Sequence, residues 1–76
     1  MKDLSAVRQR RAKIAAAMVE LYHLSESQAD YAAGWLIRWG VRANQVSAAQ
    51  PSIEARRLMR KAVLWARADE LEKEQS

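Results

Sequence analysis

The sequence predicts an all-α fold, a small bundle of three main helices with room for a short fourth. Three observations carry that prediction. Apolar residues recur at intervals of three and four, no useful stretch alternates with a period of two, and only two Gly and one Pro are present to make hairpin turns. The 76 residues read as one helical domain over 1–76, ending in an acidic tail over 70–76. A chain this short buries only about 60% of the surface it exposes when unfolded. Half of the residues are apolar, yet 15 are Ala and none is Phe. A core built from so few large side chains supplies roughly 3 to 5 kcal/mol, which makes a second copy or a bound partner the expected supplement. Cys is absent, which removes disulfides and the commonest structural zinc sites, and a single His is too few for most others. No metal or cofactor is expected.

A first helix is expected from about Asp3 to His23. Leu4, Val7, Ile14, Met18 and Leu21 fall on one face, and Arg11 stands where that stripe would otherwise continue. Asp3 or Ser5 can cap its start, and Ala15 to Ala17 are strong helix formers. The next segment, Leu24 to Gln28, has the capping-box spacing: Ser25 can accept from the amide three residues on while the Gln28 side chain reaches back. Glu26 and Asp30 then lie near the positive end of the helix dipole. This second helix should run to about Trp39, where Gly40 supplies a left-handed terminating residue.

Val41 to Gln50 reads either as a loop or as one or two helical turns, with Asn44 and Ser47 as plausible caps. Pro51 is compatible with the opening of a last helix. Ser52 can cap its run through Ile53, Leu58, Met59, Ala62, Val63, Trp65 and Ala66 toward Leu71, with fraying expected over Glu70 to Ser76.

Charge gives the first functional signal. The formal net charge is +4, and the cations cluster: Arg8, Arg10, Arg11 and Lys13 near the N-terminus, Arg56, Arg57, Arg60 and Lys61 near the C-terminus. Arg56, Arg60 and Arg67 share a helical face, with Arg57 and Lys61 adjacent. Asp69, Glu70, Glu72 and Glu74 follow, so the chain is polarised. Two basic clusters imply an anionic partner, with nucleic acid, and DNA in particular, the first candidate.

From Ala32 to Pro51 the chain resembles a helix-turn-helix unit, the DNA-reading motif of many bacterial and phage regulators. Trp35, Trp39, Val41 and Val46 occupy its apolar positions, and Gly40 falls at its turn. The sequence departs from the motif at Leu36, where a small Ala is preferred, at Ala49, smaller than usual, and at Pro51, which cuts the second helix short. The resemblance covers about a quarter of the chain. It implies that Arg42, Asn44, Gln45 and Ser47 face a groove, because Asn and Gln pair with adenine edges and Arg with guanine.

Tyr31, Trp35 and Trp39 recur every four residues and make one side of the second helix aromatic. Rings beside Arg can stack on bases of a single strand. The favoured reading is packing, either in an Ala-rich core or as a protein interface, including a homodimer seam.

Catalysis finds no constellation of residues. His23 sits at an expected helix end, the Ser residues fall mostly where caps belong, and no phosphate-cradling glycine loop occurs. The chain is therefore read as a non-enzyme. The longest apolar run, Ile14 to Val19, is far short of the roughly 20 residues that cross a bilayer, so a cytoplasmic protein without a membrane partner is expected. Two functional classes remain. One is a small DNA-binding regulator of transcription, with a homodimer among the expectations, that contacts phosphates through both basic helix faces. The other is an adaptor or inhibitor that docks its charged and aromatic faces on a larger, nucleic-acid-handling protein.

Overall fold

The computed structural model describes residues 4–46 and 50–75, with the backbone alone for Leu4 and Gln75. Four helices follow one another: α1 (Leu4–Tyr22), α2 (Glu26–Arg38), α3 (Ala43–Val46) and α4 (Ile53–Gln75). No strand occurs among the described residues. The result is a small all-α bundle in which α2 is the central element, flanked by α1 and α4, while α3 packs against α1 and touches α4.

The central helix can be approached on two sides because it is lined with small residues. Ala29, Ala32, Ala33 and Leu36 are fully buried, and the three methyl groups let the neighbouring backbones come close. Ile14 and Met18 of α1, Val46 of α3 and Ala55, Met59, Ala62, Val63 and Ala66 of α4 complete the core, joined by Leu24 and Val41 from the connecting segments. Val7 and Leu21 share the azimuth of Ile14 and Met18 but are each 52% exposed, which corrects the expected α1 face at both ends. Periodicity places a side chain on a face, but burial also needs a neighbour at that height.

Local chemistry sets most of the boundaries. The N–H of His23, whose φ of 57° is left-handed, donates to the Val19 carbonyl at 2.9 Å; this ends α1 and turns Leu24 into the core. The capping box at Ser25 forms as expected: its Oγ accepts from Gln28 N at 3.2 Å, and Gln28 Oε1 accepts from Ser25 N at 3.1 Å. Gly40, with φ of 83°, ends α2. Any side chain there must hold a left-handed backbone, so Gly40→Ala is expected to cost about 1 kcal/mol in chemical denaturation, although nothing lies within 4 Å of an added Cβ.

Two boundaries depart from expectation. The start of α3 is held by Gln45, whose Oε1 accepts from Arg42 N at 2.8 Å, and not by Asn44. Asp3, Ser47 and Ala49 lie outside the described residues. Ser52 caps α4 as expected, its Oγ accepting from Ala55 N at 3.1 Å. That helix continues to Gln75 instead of fraying from Glu70. Ser27 Oγ donates to Glu70 Oε1 at 2.7 Å, and Lys73 pairs with Asp69 at 3.1 Å one turn away, which ties the acidic turns to α2 and to each other.

Candidate nucleic-acid interface

The helices put the two basic clusters to different uses. On α1, Arg11 is committed to α2: its Nε donates to Asp30 Oδ1 at 2.8 Å and its Nη2 to Oδ2 at 3.1 Å, a two-pronged carboxylate contact. Arg10 Nη2 donates to the Val41 carbonyl at 3.3 Å, holding the turn after α2. Arg8 and Lys13 are exposed, and Lys13 shares a shallow hollow with Asn44. Half of the first cluster thus serves the fold.

On its way to Asp30, Arg11 passes close over Gly34. A Cβ there would stand 3.2 Å from Arg11 Nη2, a tight approach to the far end of a flexible, exposed side chain. Gly34→Ala removes a helix-interior glycine, a change worth about 1 kcal/mol, but makes Arg11 retreat. The expected result is a smaller gain in the wild-type background than in Arg11→Ala, measured by a denaturation double-mutant cycle.

On α4, Arg56, Arg57, Arg60 and Lys61 are all exposed, and none forms an ion pair among the described residues. Lys61 Nζ stands 5.0 Å from the centroid of Trp39 and 5.1 Å from that of Trp65, within cation–π range of both. Arg38 covers Trp35 at 5.6 Å.

The rings form one cluster across two helices. Trp65 meets Trp35 edge-to-face at 4.8 Å and Trp39 at 5.2 Å, Trp35 and Trp39 are 5.5 Å apart, and Tyr31 adds an edge contact to Trp35 at 6.4 Å. All three tryptophans of the chain are therefore in contact. The stripe neither enters the core nor stands free, since Tyr31, Trp35 and Trp39 are half-buried and Trp65 remains 38% exposed. A shallow hollow of about 210 Å³ adjoins the cluster between Arg11, Tyr31, Gly34, Trp35 and Arg38. Arg57, Lys61 and Trp65, four residues apart, make a row along α4 beside it.

Sequence reasoning missed Arg38 and Trp65 as members of this surface. Arg38 carries a local signal, standing three residues after Trp35, but Trp65 joins Trp35 and Trp39 only through the packing of α4 on α2. The residues that the helix-turn-helix resemblance offered to a groove fall at the start of α3. Arg42, Asn44 and Gln45 are all exposed at or within the described turn of α3, Gln45 also capping it, and Ser47 lies outside the described residues.

Among the described residues, no group of three or more His, Cys, Asp or Glu is placed to hold a metal, and no helix is long and apolar enough to cross a membrane. The arrangement can offer positive charge beside aromatic faces. In comparisons with known proteins, no family model, no curated protein and no solved structure matches the chain.

Proposed function

We propose that this protein binds nucleic acid, DNA first among the candidates, as a small regulatory protein without catalytic activity. Phosphates are met by Arg38, Lys61 and the open cations Arg56, Arg57 and Arg60, with the tryptophan cluster as an apolar floor. The observation that carries the reading is Lys61 standing over Trp39 and Trp65 beside unpaired arginines of the same helix. Cations without acidic partners are free to release counterions from a phosphate backbone, and rings beside them can take an unstacked base. Arg8 and Lys13 on α1 and Arg42 after α2 add positive charge. Arg10 and Arg11, already bonded within the chain, are given no direct role.

The test is fluorescence anisotropy of a labelled duplex and of a labelled single strand, titrated with protein across salt. Binding whose logarithm falls linearly with the logarithm of salt is expected. No binding of either at low salt would overturn the reading.

A second reading, docking on a larger protein, is favoured by the exposed edge of Trp65, because Trp and Arg anchor many interfaces. Under it, a defined protein is captured from extract after nuclease treatment, and Trp65→Ala weakens capture more than Lys61→Ala.

A further inference from the structure

The side of α4 turned away from the core carries an uncovered apolar line. Ile53, Leu64 and Leu71 are exposed by 73%, 64% and 57%. Their spacing of eleven and seven residues brings them within about 20° of one another around the helix, on the side opposite Ala55, Met59, Ala62 and Ala66. The line runs for about 27 Å at 1.5 Å per residue. Arg57, Arg60 and Arg67 border it, with aliphatic stems able to lie along apolar neighbours while their charges stay in water.

Charge along the same helix specifies what covers this line. Ile53 to Leu64 holds four cations and one acid, whereas Trp65 to Gln75 holds four acids and two cations. A second α4 laid antiparallel sets each basic half against an acidic half, while a parallel one sets like against like. The helix is thus complementary to its own reverse, in apolar line and in charge. The few large side chains of the core leave stability for such a seam to add.

We propose that the protein forms a homodimer through antiparallel α4 helices, with Leu64 of both copies at the centre of the seam and Leu71 of each toward Ile53 of the other. Trp65 lies one residue from Leu64, about 100° around the helix, so the aromatic surface stays outside the contact. The dimer does not depend on nucleic-acid binding: each copy keeps its Arg38, Lys61 and tryptophan face accessible, while Arg57 and Arg60, at the border of the seam, divide their charge between the partner's acids and a bound phosphate.

The experiment is light scattering of the full chain, without nucleic acid, from dilute to concentrated protein. The molar mass is expected to rise with concentration from 8.7 kDa toward twice that value. The double substitution Leu64→Glu and Leu71→Glu, at two exposed positions, is expected to hold it at 8.7 kDa throughout with unchanged helical circular dichroism. Spin labels attached through Glu54→Cys report orientation: an antiparallel seam centred on Leu64 separates them by about 30 Å. A wild-type chain that stays monomeric, a dimer that survives the double substitution, or labels within roughly 20 Å of each other would each overturn the proposal.

Discussion

Truncating Leu36 to Ala is expected to unfold a large fraction of the protein at room temperature. Leu36 is fully buried on the central helix, and its neighbours there, Ala29, Ala32 and Ala33, have no spare volume with which to fill a cavity. A buried Leu→Ala change costs about 2 to 5 kcal/mol, depending on how far the site collapses. A core of this size supplies only roughly 3 to 5 kcal/mol in total, so one substitution consumes most of it. Thermal and urea melts followed by circular dichroism read the effect directly, and a loss below about 1 kcal/mol would mean that α2 is not the central packing element. Leu64→Ala, on the exposed side of α4, is the matched control and should leave the dilute chain's melt nearly unchanged.

The second large effect concerns binding. Replacing Arg38, Arg57 and Lys61 together by Ala is expected to lower the affinity for DNA by roughly tenfold or more at low salt and to flatten the salt slope by about one unit per lost phosphate contact. The three side chains are exposed, so the fold should survive their loss. The matched change of Arg10 and Arg11 to Ala should act mainly on stability, because those guanidiniums bond to Val41 and Asp30. If the α1 pair mattered more for binding than the α2 and α4 set, the interface would have been placed on the wrong helices.

The contrast between these sets shows what was legible in the sequence. Ser25 with Gln28, Gly40 and Ser52 act over three or four residues, and each ends or starts a helix where the residues indicate. The cap at His23 was less visible, since a non-glycine left-handed residue is an uncommon choice. Longer-range outcomes required the packing. Arg11 is a visible break in an apolar stripe, but its partner Asp30 is fixed only once α1 crosses α2 at Gly34. Val7 and Leu21 carry the same periodic signal as Ile14 and Met18, but no neighbour covers them.

The candidate site divides in the same way. Clustering of Arg56, Arg57, Arg60 and Lys61 is a property of the chain, and their exposure follows from their place opposite the core. The aromatic stripe on α2 was evident at four-residue spacing, whereas its closure by Trp65 depends on how α4 lies against α2. The helix-turn-helix resemblance rested on Trp35, Trp39, Gly40, Val41 and Val46. Both valines are buried, as that motif requires, but core packing alone accounts for their burial. Among the described residues α3 is a single turn.

Because all three tryptophans belong to one cluster beside Lys61 and Arg38, the chain's intrinsic fluorescence is a direct report on the proposed interface. The decisive measurement is that emission as unlabelled DNA, duplex and single-stranded, is added at low salt and then displaced by raising the salt. A saturable change in intensity, reversed by salt and lost in the Arg38, Arg57 and Lys61 variant, is the predicted result. Emission that stays constant with either DNA at low salt would contradict the placement of nucleic acid on this face.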